Sequence, residues 1–447
     1  MSSDLIIIGR AGTIAARSAL EVTAQNIANA DNPDYARRRV TQTELLATGS
    51  IGGFSSSSLG GVRIDEIQRS DAVFLQNQAR RTGSDLARAD AELSGLLAVE
   101  TAIDQTGIFP AIVDFEASLA ELQSDPLNGA LRSAVLESGR ALAETLNIAD
   151  RTLAQSGEQI RFEANSGVEQ VNLYAGELAR INAEIVRTEP GTSSFAALLD
   201  QRDSALSQMS DQLGIAVEYD INGTVAVRQG DASGPLLVSG TNSSPLALSA
   251  NADGTVDFTV GGAAVTLASG QLAGQAQALF TQRDYGQRLD DLAALTVTQV
   301  NTAQTNGAAP DGTAGQPFFS GSTAGDITVA LTSGAGIATA AVGSPAQSRD
   351  TSNLEALRST LASNTGPASE ADSLLFDLAN AVRSREVTRD ATAIIAETAQ
   401  TALVAETGVD LEQEAVNLVR FQQAFQASSR VIQTANDIFN SILGIRS

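Results

Sequence analysis

Near the end of the chain the apolar positions recur at helical spacing. Leu411, Ala415, Leu418, Phe421, Phe425, Ser428, Val431, Ala435, Ile438, Ile442 and Ile445 step by threes and fours, which predicts one amphipathic helix over 411–443. At 1.5 Å per residue it is about 50 Å long. Propensity alone leaves such a helix marginal at a chain end, so it needs a partner surface. The N-terminal residues offer one. Leu5, Ile8, Gly12, Ala15, Ala19 and Val22 alternate threes and fours across a predicted helix over 5–29, and this mostly small seam can accept Phe and Ile.

Between these ends, residues 62–213 read as helical, broken at "TGIFP" and "SDPLNG", where Gly107, Pro110, Asp125 and Pro126 punctuate. The longest helix is predicted over about 127–187. Leu146, Leu153 and Ile160 lie seven apart, as do Val171, Leu178 and Ile185, while the step from Ile160 to Val171 is eleven. That is a coiled-coil seam with a four-residue stutter at "EANSG". From 215 to 267 the period falls to two: Val217, Tyr219 and Ile221 alternate with acids, and Val225 and Val227 return after Asn222-Gly223. A three-residue loop through Thr224 aligns the apolar faces of this hairpin better than a two-residue Asn-Gly loop. Val256, Phe258 and Val260 repeat the alternation before Gly261-Gly262. Helix returns over 270–305, then a turn-rich stretch with a short hairpin holding Ile327, Val329 and Leu331, then helix to the end.

The order is palindromic, which predicts a mainly α fold with an inserted β module. Three parts are expected: a terminal coiled-coil domain from 1–61 plus 405–447; a discontinuous helical-bundle domain from 62–213 plus 270–404, with the short hairpin near 318–332; and a small β domain over 214–269.

Composition narrows the chemistry. The chain has His 0, Cys 0 and no Lys, so all 28 basic residues are Arg. This excludes a Ser-His-Asp triad, a thiol nucleophile, a His/Cys zinc site, a Walker A lysine and a Schiff base. Only carboxylate chemistry survives as an enzymatic option, and no cofactor or metal is implied. A net charge of −24 repels phosphate backbones and anionic lipid, so neither nucleic acid nor membrane is an expected partner. No apolar run approaches 18 residues, and "MSSDLIIIGRAG" lacks the basic region and long apolar core of a cleavable signal. The lack of Cys also suits a chain that passes a channel unfolded.

Within "QNIANADNPDY", residues 25–35, Asn29 is a plausible helix cap, Asp31-Asn32-Pro33-Asp34 a turn that Pro33 prevents from continuing the helix, and Tyr35 the start of an extended segment. Residues 49–61, "GSIGGFSSSSLGG", read as a Gly/Ser loop. The stretch resembles the signature of the bacterial flagellar axial proteins, whose usual form is an Asn-Asn-Ile-Ala-Asn stem followed by a Thr-Pro-Gly-Tyr turn. "EAVNLVRFQQAFQASSRVIQTANDIFNSILG" resembles the matching C-terminal end. Two motifs at opposite ends in the right order are more specific than either alone. "RRRV" after Tyr35, the long helical arm and "PFFSG" resemble the first hook-associated (FlgK-type) branch, although the β insert is short for it.

The resemblance implies a structural, non-enzymatic subunit at the hook–filament junction of the flagellum, outside the cell, exported by the flagellar type III apparatus without a cleaved signal. Implied partners are further copies of itself, the hook protein, the third hook-associated protein (FlgL type) and an export chaperone (FlgN type) on the C-terminal helix. It places assembly on Asn26, Ile27, Asn29, Pro33 and Tyr35 at one end, and on Leu411, Leu418, Phe421, Phe425, Val431, Ile432, Ile438, Phe439 and Ile442 at the other. The terminal helices are expected to pair in the inner wall of a tube and to be largely unfolded in the free chain, because their seams offset ordering entropy only among neighbours. A hook or distal rod protein is an alternative that the helical arm disfavours; a secreted acidic hydrolase working through paired carboxylates is the alternative from another class. Asp34 stands where the family usually has Gly, so either Asp34 takes positive φ or the turn becomes type I.

Three local patterns have competing readings. "SANADGTVDFTV" imitates a calcium loop but has Val260 at the twelfth position, and a hairpin turn is the simpler assignment. The pairs Asp200/Asp203 and Asp290/Asp291 are either glycosidase-like carboxylates or, as is usual on long helices, solvated faces. The run Arg37–Arg39 either balances acids across a subunit contact or is solvated.

Overall fold

The computed structural model describes residues 2–44 and 60–444. Its helices are α1 (Ser2–Ala28), α2 (Val73–Ile103), α3 (Ile108–Ser124), α4 (Gly129–Arg187), α5 (Ser193–Gln212), α6 (Gln271–Thr305), α7 (Ser352–Leu361), α8 (Pro367–Thr407) and α9 (Leu411–Gly444). The breaks at 104–107 and 125–128 fall where Gly and Pro interrupt the apolar pattern, and the mainly α fold matches expectation. Residues 45–59, which hold most of the Gly/Ser loop, lie outside the described residues.

The chain forms two compact units, one of Met1–Ser84, Gln170–Pro245 and Ala393–Ser447, the other of Asp85–Glu169 and Leu246–Thr392. This division differs from the three expected parts. The region 214–269 is two separate sheets, one in each unit, which part at Pro245, a residue that cannot donate to a ladder.

In the first unit, α1 and α9 pack along each other. A Cβ on Gly9 would lie 2.7 Å from Ile432 Cγ1, and one on Gly12 would lie 2.6 Å from Ser428 Oγ. The small seam thus lets the two backbones approach, as its pattern indicates. The pairing is made within one chain, between the two seams expected to be complementary. The segment 62–69, expected to be helical, is instead a strand. β1 (Arg38–Glu44) and β2 (Val62–Arg69) pair antiparallel from Arg38↔Arg69 to Glu44↔Val62, with a bulge at Thr41/Gln42. The β-branched Val62, Ile64 and Ile67 favour that conformation, and the period-2 cue was too short to separate from a helix.

The four-stranded sheet runs β3 (Ile215–Tyr219), β4 (Val225–Gln229), β5 (Leu236–Ser239) and β6 (Asn242–Ser243). Its first hairpin pairs Tyr219↔Val225 and Val217↔Val227, with Asp220 N–H donating to the Thr224 carbonyl at 2.9 Å. The loop is therefore Ile221–Gly223, one residue earlier than the expected loop through Thr224. Gly223, at φ 87°, supplies the left-handed residue that closes such a loop, and Ile221 is left 97% exposed at the tip.

The second unit is built on one apolar core from α2, α3, α6, α7 and the portions of α4 and α8 that belong to it. Phe115, Phe318 and Phe319 form a ring trio with centroids 4.7–5.8 Å apart, and the "PFFSG" turn thereby becomes core. Phe319 opens β11 (Phe319–Ser320), which pairs with β12 (Thr328–Val329) as the expected short hairpin; β10 (Gly307–Ala308) and β13 (Ala340–Ala341) pair beside it. The three-stranded sheet is β7 (Leu246–Ala250), β8 (Val256–Val260) and β9 (Ala263–Val265). By length and composition Val73–Ser124 could cross a membrane. Residues 104–107 split it, however, and Ile108, Ile112, Phe115, Leu119 and Leu122 are spent on the core.

α4 stays one helix through the stutter. Its buried face continues as Leu146, Ala149, Leu153, Gly157, Ala164, Val168, Val171, Ala175, Leu178 and Ile185. Ile160 is only half-buried, because Gly157 and Ala164 take over the face there and the side chain of Gln282 fills the space over Gly157.

Candidate functional site at the paired chain ends

The turn after α1 is organised by one amide. Asn26 is 1% exposed; its Nδ2 donates to the Arg38 carbonyl at 2.8 Å, and its Oδ1 accepts from the Arg38 N–H at 3.0 Å and from the Tyr35 hydroxyl at 2.8 Å. The side chain acts as a strand partner for a residue that has just left the helix. Asp lacks the donor for this arrangement, and Gln adds a methylene. Asn29 Nδ2 caps the Gln25 carbonyl at 2.8 Å. Asn32 Oδ1 accepts the Asp34 N–H at 3.1 Å, and the Asn32 carbonyl accepts the Tyr35 N–H at 3.1 Å. Pro33, exposed, sits at the second turn position. Among described non-glycine residues only Gln347 has positive φ, so Asp34 does not, and the turn is type I. Asp34 also accepts from Ser204 Oγ at 2.9 Å. Ile27 is half-buried beside this turn.

The arginine run is spent mostly within the chain. Arg37 meets Glu414 at 2.8 Å, and Glu414 is 2% exposed; the Arg37 N–H donates to the Thr407 carbonyl at 2.9 Å. Arg38 meets Asp200 at 2.5 Å. Arg69 meets Asp200 and Asp203, each at 2.7 Å, and also pairs with Asp71. Arg202 meets Asp203 at 2.8 Å and donates to the Gly223 carbonyl at 2.6 Å. Asp200 and Asp203 are therefore neither a solvated face nor a free carboxylate pair, since each anchors buried guanidinium groups. Arg39 alone of the run is exposed. Burial pushes the Tyr35 phenol up to about 12, with Arg38 opposing and Asp200 and Glu414 reinforcing the shift. Burial acts to weaken the charge on Arg69, but Asp203, Asp200 and Asp71 outweigh it and hold the guanidinium protonated.

On α9 the seam toward α1 is Glu414 and Ala435, buried, with Leu418, Phe421, Phe425, Ser428 and Ile432 half-buried. Phe421 lies beside Ala19 and Val22 of α1. Four expected seam positions are exposed instead: Leu411, Ala415, Val431, whose place Ile432 takes, and Ile438. Closing on Gly9 and Gly12 rotates α9 so that Ser428 and Ile432 face inward. A second apolar face remains uncovered, with Val416, Val419 and Val431 exposed and Ile438 41% exposed; Phe439, five turns beyond Phe421 and so on the seam face, is 48% exposed. The side chain of Ile442 lies outside the described residues.

Of the network, sequence reading singles out Arg38, within the Arg37–Arg39 run, and the Asp200/Asp203 pair, each with another role, but not Arg69, Arg202 or Glu414. The cues in sequence are the charge run abutting the Asn-Pro turn and the Asp200/Asp203 spacing. Elsewhere, Asp253 sits in the β7–β8 hairpin turn, where it accepts from Thr255 and from Arg283 at 2.8 Å, as the hairpin reading requires. Asp290 accepts the Ala324 N–H at 2.8 Å. Among the described residues no three His, Cys, Asp or Glu side chains group to hold a metal.

Comparison with known proteins places these features. Residues 92–319 match the family model of the flagellar hook-associated protein FlgK helical domain, and residues 400–445 match that of the flagellar basal body rod FlgEFG protein C-terminal region. The chain is 25% identical over 486 aligned positions to flagellar hook-associated protein 1 of Bacillus subtilis, covering 96% of this chain and 95% of that protein. It is 27% identical to flagellar hook-associated protein 1 of Escherichia coli and of Salmonella typhimurium, covering 71% of this chain in each case, and it spans only 60% and 59% of their lengths. A solved structure, the flagellar hook junction protein FlgK from Burkholderia pseudomallei, superposes with TM-score 0.63 at 15% identity, covering 73% of this chain and 99% of that one.

Proposed function

Since the chain belongs to the FlgK family of flagellar hook-associated proteins, whose helical-domain model covers residues 92–319, just over half of it, we propose that it is a structural subunit of the junction between hook and filament. The observation that carries this reading is the α1–α9 pair, which closes on Gly9 and Gly12 yet leaves Val416, Val419, Val431 and Ile438 exposed. A helix pair that buries one seam and presents another is suited to a tube wall, where neighbouring copies cover the second seam. The Asn26–Tyr35–Arg38 lock fixes the chain's exit from that pair, so the pair is held at a set angle to β1 and β2.

The family is a structural one and places the chain in the bacterial flagellum. In this reading the copies self-assemble through their terminal helices, contact the hook protein on one side and the third hook-associated protein on the other, and reach the site through the flagellar export channel with a chaperone on α9. The hook or distal-rod alternative gives way to the helical-domain match. Of the carboxylate pairs considered for a hydrolase, Asp200 and Asp203 are bound by Arg38, Arg69 and Arg202, and Asp290 accepts the Ala324 N–H.

The chain has no natural cysteine, so a single exposed one, at Phe162, can be labelled in intact cells. Fluorescence is expected as one spot at each hook–filament boundary. Label spread along the filament, or absent from the flagellum, refutes the junction role.

A further inference from the structure

A cavity of about 530 Å³ opens between α1, β1 and α9, and its polar lining is unusual for a chain with a net charge of −24. Four arginines, Arg37, Arg38, Arg39 and Arg420, line it, against one acid, Glu414. Arg37 is neutralised by Glu414, and Arg38 by Asp200 outside the cavity. Arg39 and Arg420 are exposed and form no ion pair among the described residues. Arg38, 8% exposed, leaves its Nε with no hydrogen-bond partner. The groove thus carries two unspent cations and one unspent buried donor, a set that matches carboxylate groups.

Just before the groove in sequence, the α8–α9 knuckle "ETGVDLE", residues 406–412, carries the complement. Glu406 and Glu412 are exposed and form no ion pair among the described residues, while Asp410 caps α9 through the Glu412 and Gln413 N–H groups. The knuckle cannot fold into its own groove, because α9 continues from it as a straight helix whose next turns, Gln413 to Phe421, are the groove wall. We propose that the groove of one copy receives the acidic α8–α9 knuckle of a second copy, with Glu406 and Glu412 meeting Arg39 and Arg420. Knuckle and groove are different patches, so the contact is heterologous and propagates around a ring or helix. They lie within about two turns of α9, roughly 10 Å along its axis. Copies joined this way stand side by side at nearly one level. The proposal rests on the tubular assembly inferred above and specifies its lateral contact.

Leu411→Cys on the knuckle and Asn417→Cys on the groove wall test it in the full chain. Six residues apart on one helix, the two sites are about 9 Å apart along the axis, beyond the reach of a disulfide within one chain. Flagella from cells expressing both single-cysteine variants are expected to yield the mixed 411–417 dimer in excess over either homodimer. Arg39→Glu in the Asn417→Cys chain should cut the mixed dimer on the order of fivefold, and Glu406→Arg in the Leu411→Cys chain should restore it. Unchanged helicity by circular dichroism shows that the variants fold. If the labelled chain sits at the boundary but gives no mixed dimer, or one indifferent to Arg39→Glu, the contact is refuted and the junction role stands. Absence of the chain from flagella overturns both.

Discussion

Asn26→Ala removes a side chain that ties the end of α1 to β1 by hydrogen bonds. Three hydrogen bonds are lost, at 2.8, 3.0 and 2.8 Å, and the Arg38 N–H and C=O are left buried without their partner. A net intramolecular hydrogen bond contributes about 0.5–1.5 kcal/mol, and an orphaned buried group costs about 1–3 kcal/mol. Even the lower bounds give about 2 kcal/mol, because water can re-enter only where the cavity left by the amide admits it. A chain of two units need not unfold in one step, so the readout is local. Hydrogen exchange of the peptide spanning residues 36–44, followed by mass spectrometry, reports opening of the Arg38 amide. The expected effect is exchange roughly 30-fold faster at Arg38, equivalent to about 2 kcal/mol. Asn26→Asp keeps the two acceptor contacts but sets a carboxylate against the Arg38 carbonyl, so it should not rescue protection. Less than a threefold change at Arg38 in Asn26→Ala refutes the claim that this amide locks the turn.

Gly9→Ala gains about 0.5–1 kcal/mol of helix propensity but drives a Cβ to 2.7 Å from Ile432, so α1 and α9 should lose protection by a net ~1–2 kcal/mol; Gly176→Ala, with nothing within 4 Å, should raise the melting temperature instead. Asp200→Asn strips the shared acceptor of Arg38 and Arg69, and breaking a buried pair of this kind costs about 3–5 kcal/mol, visible as earlier urea-induced exposure of residues 62–69 to protease. The Tyr35 phenol is raised from its ordinary value of 10.0 to about 12, so it ionises more readily unfolded than folded. Its stabilisation is fully present below pH 10 and is lost as pH rises from about 10 to about 12. Ultraviolet titration should show this late step, Tyr35→Phe should remove it, and a step unaltered by that substitution would count against the burial assigned to Tyr35.

Much of the architecture was legible because it is local. The stops at Gly107 and Pro126, the α9 period and the Asn251–Gly254 turn follow from backbone chemistry that acts over a few residues. β2 was not legible, since Val62, Ile64 and Ile67 are too few to separate a strand from a helix without knowing that β1 lies beside them. The same holds for the loop in the β3–β4 hairpin: two registers keep the valines facing, and Gly223 settled the choice through its φ. Asp200 and Asp203 read as surface acids because helical spacing puts them on a polar face, and only the arrival of Arg38 and Arg69 from residues far away in sequence makes that face interior.

By itself the sequence determined most of the helical segments, that the two ends carry complementary seams, and that no histidine, cysteine or lysine chemistry is possible, because each of these depends on residue type and short-range spacing. Only the tertiary structure decided that α1 and α9 already meet within one chain, that Ile432 rather than Val431 faces Gly9, and that a buried arginine–aspartate network holds the turn. Those outcomes depend on the rotation of one helix against another and on charges brought together across more than a hundred residues, which no local pattern encodes.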